Sequence, residues 1–183
     1  MEENIDNTEH LLKLLYAPSL YIDSSYLVML PNKGVTFSHQ IINYWIINYF
    51  KLENIQRDFF FQKKDNITLS LIRNWFLLPK VAILIGGYLS RNIFSSGFTH
   101  PEILKFMSLP LSYQIAPNIL TQSNVMANGI TFIRELCVTL PSALRQRFYL
   151  CFPENIVYPE LDVPRTPDNL NLLKVAFSYA KNM

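Results

Sequence analysis

The stretch Trp75-Phe76-Leu77-Leu78-Pro79-Lys80-Val81-Ala82-Ile83-Leu84-Ile85-Gly86-Gly87-Tyr88-Leu89 decides between a membrane segment and a buried core helix. A spanning helix needs about 20 predominantly apolar residues. This run holds 15 and carries Pro79 and Lys80 inside it, so it does not span. Pro79 suits the first position of a helix, where a missing N–H costs nothing. Gly86-Gly87 permits close approach of a second helix. Trp75, between Asn74 and Phe76, reads as core.

The neighbouring segments also follow a helical period. Upstream, Asn66 or Thr68 is expected to cap a helix reaching about Leu78. Asn7-Thr8-Glu9 opens a first helix whose Leu11, Leu12, Leu14 and Leu15 fall within one broad face, and Ala17-Pro18 stops it. Pro31-Asn32-Lys33-Gly34 reads as a turn. Thr36 or Ser38 then caps a second helix through Phe50. Its run Ile41 to Phe50 is apolar nearly all round, which places it inside the domain; a buried strand competes, and length favours the helix. Residues 51–66 hold the densest charge cluster (Lys51, Glu53, Arg57, Asp58, Lys63, Lys64, Asp65) and read as a solvated connection with a short element around Phe59-Phe60-Phe61.

Downstream, Thr99-His100-Pro101-Glu102 combines a capping hydroxyl, a proline and a first-turn acid, a helix start. Leu140-Pro141-Ser142 and Thr166-Pro167-Asp168 begin two more, the last running to Met183. Pro153, Pro159 and Pro164 punctuate a linker over 153–165. The expected fold is mostly α: a compact single-domain protein of about seven helices, with a core over 1–153 and a linker and C-terminal helix over 154–183 packed on it.

Composition narrows the function classes. Half of the residues are apolar and 16% are charged, against roughly 25% in an average soluble protein, which excludes a disordered chain. A net charge of +2 is too mild to indicate nucleic acid. Five glycines leave little for phosphate-cradling loops. The acidic start Met1-Glu2-Glu3-Asn4-Ile5-Asp6 is unlike a secretory signal, so Cys137 and Cys151 are expected as free buried thiols in a cytoplasmic protein.

No residue pattern carries catalysis. His10, His39 and His100 lie far apart, without ligand spacing to a cysteine or acid, and no metal site is expected. No GxSxG, GxGxxG or P-loop occurs. Cys137 and Cys151 sit in apolar runs with no adjacent base, and the carboxylates are scattered. The expectation is a non-enzyme without cofactor. One position departs from a simple core pattern. On a helix from Leu140 to Phe152, Arg147 falls within the apolar arc, between Leu140 and Ala143, with Arg145 at its border. Such an arginine snorkels, pairs internally or meets a partner. Arg145 and Arg147 are therefore the candidate partner-binding residues.

The segment Asn74 to Gly86 resembles the hallmark segment of the OrgA/MxiK family, the SctK accessory proteins of the bacterial type III secretion sorting platform. Asn74, Trp75, Leu78, Pro79 and Gly86 stand as its structural core motif. Three further pieces are similar and come in the same order: Ala17 to Ile22, Phe106 to Leu111, and Leu140 to Arg147 followed by Phe152-Pro153. The likeness spans about residues 12–153 and does not extend over Tyr158–Met183. It implies a helical, non-enzymatic adaptor in the cytoplasm beneath the inner-membrane ring. Its implied partners are the cytoplasmic domain of the ring protein (SctD) and the pod protein (SctQ). A secretion chaperone is the competing class, but such chaperones are typically acidic. A hydrolase would require His39 or His100 to converge with a serine or cysteine.

Overall fold

The computed structural model describes residues 2–29, 37–55, 65–90, 100–115 and 125–183. Among them every regular element is helical: α1 (Glu2–Tyr16), α2 (Ser24–Leu27), α3 (His39–Tyr49), α4 (Asn66–Arg73), α5 (Leu78–Leu89), α6 (Pro101–Met107), α7 (Val125–Leu136), α8 (Ser142–Leu150) and α9 (Pro167–Ala180). Two short 3-10 turns, Pro18–Leu20 and Trp75–Leu77, complete the set. The mostly α expectation therefore holds, with nine α-helices against about seven. The expected turn at Pro31–Gly34, the Thr36 cap, the element around Phe59–Phe61 and the Thr99 hydroxyl lie outside the described residues. No single helix among those described is long and apolar enough to cross a membrane; α4 and Trp75–Leu89 reach that length only together, across a break.

Local chemistry sets the helix starts. Ser38 caps α3 by accepting the Ile41 N–H, and Thr166 caps α9 by accepting that of Asn169. At α4 the cap is Asp65, one residue before the expected Asn66; its Oδ1 accepts the N–H groups of Ile67 (3.0 Å) and Thr68 (2.7 Å). A carboxylate also complements the positive end of the helix dipole. α6 starts at His100, whose Nδ1 accepts the Glu102 N–H. The expected helix to Leu78 stops instead at Arg73. Asn74 turns the chain there, its backbone N–H and Nδ2 both donating to Ser70 O (3.0 and 2.8 Å). Pro79 then falls in the first turn of α5, where no N–H is needed.

The chain forms two compact units, each built from two separated stretches. The first comprises Met1–Phe76 with Thr139–Asn155, the second Leu77–Val138 with Ile156–Met183. In the first unit α1 packs on α4 and α8, burying Leu11, Leu14, Leu15, Leu71, Ile72 and Leu144. Leu12, expected on the same face as its neighbouring leucines, is 42% exposed. At 100° per residue it lies well off the direction that Leu11, Leu14 and Leu15 share. Trp75 is wholly buried, with Tyr21 and Phe148 edge-on to its ring at 6.1 and 6.5 Å.

α3 corrects the expectation of an interior helix. Only Ile46 is buried, while Tyr44 is 72% exposed and Ile41 and Tyr49 about half. Asn43 Oδ1 accepts the Ser19 N–H (2.8 Å), so α3 docks on the Pro18–Leu20 turn by one edge. An apolar helix is buried only as far as neighbours exist to cover it. Its C-terminus closes with two bonds, Lys51 N–H to Asn48 O and Leu52 N–H to Ile47 O. Lys51 takes the left-handed conformation (φ 48°) that such a stop requires. The turn delivers Glu53 toward α8.

The second unit is built on α5 and α7, which cross in backbone contact. A Cβ on Gly86 would fall 1.8 Å from Val125 O, and one on Gly129 would fall 1.9 Å from Ala82 O. Each glycine thus receives the backbone carbonyl that lies four residues before the other, Val125 O at Gly86 and Ala82 O at Gly129. α9 covers α5 with Leu172, Ala176 and Ala180, all fully buried. The Tyr88 hydroxyl donates to the Leu109 and Leu111 carbonyls (2.8 and 2.6 Å) and accepts the Leu111 N–H (2.9 Å). Asn169 grips Gln114 through both its N–H and its C=O (2.8 and 2.7 Å). These two buried side chains hold residues 109–115 where no helix forms.

Two outcomes follow for thermal melting. Gly86→Ala or Gly129→Ala gains about 1 kcal/mol of helix propensity but meets a backbone carbonyl that cannot rotate away. The clash dominates, and each variant loses at least the about 1–3 kcal/mol typical of overpacking. Trp75→Ala leaves a large cavity and is expected to cost about 3–5 kcal/mol.

Candidate partner-binding residues

The two arginines of α8 are placed differently. Arg145 is exposed, whereas Arg147 is completely buried. The Arg147 guanidinium donates to three backbone carbonyls: Nε and Nη2 to Leu15 O (3.3 and 2.9 Å), Nη1 to Glu53 O (2.8 Å) and to Ala143 O (2.9 Å). It neither pairs with a carboxylate nor reaches solvent, as the sequence reading had allowed. The last carbonyls of a helix lack intrahelical donors and carry the negative end of its dipole. α1 ends at Tyr16, so the Leu15 carbonyl is one of these, and a cation is suited to it. Leu14 O, beside it, accepts from the Tyr21 hydroxyl (2.7 Å). Burial lowers the Arg147 pKa from its ordinary value, while Tyr21 and Tyr16 nearby oppose that shift. The same burial raises the Tyr21 pKa, with Arg147 acting against it.

α8 also fixes Glu53 from its outer side. The Glu53 N–H donates to Gln146 Oε1 (2.8 Å), and its carboxylate accepts from Gln146 Nε2 (3.3 Å) and from the Ser142 hydroxyl. The Leu140-to-Arg147 piece of sequence therefore joins three separated segments: the end of α1, the turn after α3 and α8 itself. The motif residues have comparable structural tasks. Asn74 ends α4, Trp75 and Leu78 are fully buried, Pro79 lies in the first turn of α5, and Gly86 admits α7.

Of the remaining reactive groups, His39 and Ser19 form the one histidine–serine pair brought together among the described residues. Cys137 and Cys151 are buried free thiols. Burial pushes the Cys151 thiol well above its ordinary pKa, against a smaller opposing influence from Trp75, and the thiol donates to Arg147 O. His10 meets Phe76 edge-on at 5.6 Å, His39 contacts the Ser19 hydroxyl at 3.3 Å, and His100 caps α6. The described residues include no group of three or more His, Cys, Asp or Glu able to hold a metal.

The structure also locates an apolar surface, which composition implied without placing it. Of the exposed large apolar side chains among the described residues, all but Leu104, Val138 and Val157 lie in the first unit. They are densest at α3 and the end of α2: Val28 (66% exposed), Met29, Ile41, Tyr44 and Tyr49. Trp45 stacks on Tyr49 at 4.7 Å, and the Tyr49 hydroxyl donates to Met29 Sδ (3.3 Å). α3 contains no Asp, Glu, Lys or Arg. Aromatic and methionine enrichment with few charges is the composition of an interface core. The signal in the sequence was that missing charge, read as burial within the chain.

Arg147→Lys tests the buried node. An ammonium cannot span the Leu15, Glu53 and Ala143 carbonyls in one plane. Each acceptor left bare costs about 1–3 kcal/mol, so a clearly lowered melting midpoint is expected. An unchanged midpoint would show that the guanidinium is not required there.

Comparison with known proteins completes the picture. A protein of Escherichia coli (strain K12), YgeO, is similar at 28% identity over 126 residues, which is 64% of this chain and 88% of that protein. No solved structure matches. The family described as bacterial type III secretion apparatus protein (OrgA_MxiK) matches residues 11–182. That span reaches beyond the likeness read up to residue 153 and takes in α9. From the first buried leucine of α1 to the last residues after α9, the chain belongs to the OrgA_MxiK family of bacterial type III secretion apparatus proteins.

Proposed function

We propose that this protein is a non-enzymatic structural adaptor of the type III secretion sorting platform. In this reading it lies in the cytoplasm, at the inner face of the membrane. It links the cytoplasmic domain of the inner-membrane ring protein (SctD-like) to the pod protein (SctQ-like). The observation that carries the reading is the family match along nearly the whole chain. The physical character of the first unit supports it. An uncharged aromatic surface around Tyr44, Tyr49 and Met29 is costly to leave in water and suits a subunit that buries area against other proteins. His10, His100 and both thiols are engaged in a ring contact, a helix cap and core packing. His39 and the Ser19 hydroxyl meet at 3.3 Å as exposed groups, the one convergence among the described residues that the hydrolase alternative would need.

Within this reading, Arg145 is a contact residue for an acidic group on one partner, and Arg147 is a positioning residue. The buried guanidinium fixes α8, and α8 carries the exposed one.

Deletion of the gene is expected to abolish secretion and release the pod protein into the cytosol while the membrane rings still assemble, because a bridge is needed only by what hangs from it. Fluorescence localisation of the pod protein checks this; normal localisation in the deletion strain overturns the adaptor reading. Arg145→Glu reverses an exposed charge and is expected to leave the melting midpoint within about 0.5 kcal/mol of the parent. It should weaken one partner complex several-fold, more at low salt than at high salt. Binding titrations with each purified partner read this, and parental affinity for both removes Arg145 from the contact surface.

A further inference from the structure

We draw no further inference here: the strongest candidate, the uncharged aromatic face of α3 with Val28 and Met29 at the end of α2, is an unpartnered apolar face, and nothing in the structure shows what covers it.

Discussion

A fold made of short helices has many helix ends, and each end leaves backbone groups that an apolar interior cannot accept bare. In the first unit that demand converges on the C-terminus of α1, where the Ala17 N–H, the Tyr21 hydroxyl and the Arg147 guanidinium each take one carbonyl. Arg147 reaches from α8 to Leu15 O, turns its other donors to Ala143 O and Glu53 O, and leaves Leu14 O to the Tyr21 hydroxyl. An isolated buried cation is costly, and among the described residues no carboxylate pairs with this one. The Leu15 carbonyl at the negative end of α1, together with the Glu53 and Ala143 carbonyls, takes the place of a counter-ion. The arrangement explains why a long, rigid, five-donor side chain stands in the middle of an otherwise apolar face.

The second unit solves its packing differently. Gly86 and Gly129 remove the side chains from the α5–α7 crossing, so the helices meet backbone to backbone. The shape is set by what is absent at two positions rather than by bulky residues interlocking. Where the chain leaves regular structure, buried polar side chains substitute for helix bonds: Tyr88 holds Leu109 and Leu111, and Asn169 holds Gln114. Charged groups are few in this protein, and several of the buried polar side chains are spent on the backbone.

That economy bears on function. With 16% charged residues the chain leaves much apolar surface, and among the described residues most of the exposed large apolar side chains lie in the first unit. Tyr44, Tyr49, Val28 and Met29 stay exposed in the single chain. A member of a secretion apparatus, assembled among other subunits, has a use for them. The same scarcity leaves Arg145 conspicuous, as an exposed guanidinium on a helix held from behind by a buried one.

The sequence alone determined the helical class and the starts of α3, α6, α8 and α9, because periodicity and capping are local; α1 instead begins at Glu2, ahead of the expected opening at Asn7-Thr8-Glu9. Ser38, Thr166 and the Pro167-Asp168 and Pro101-Glu102 openings act within one turn of themselves. The α4 cap shifted from Asn66 to Asp65 because neighbouring residues compete for the same N–H groups. The ordered likeness to a secretion family was legible too, since its motifs are stop, start and packing positions. Tertiary structure decided which apolar faces are covered: α3 and a core helix look alike in sequence until neighbours prove too few to bury both. It also supplied Gly129 as the counterpart of Gly86, a pairing between residues 43 positions apart. Arg147 shows the limit most plainly. Its place on the apolar arc was visible from helical geometry, but its partners are backbone carbonyls, which every residue possesses and no sequence pattern singles out.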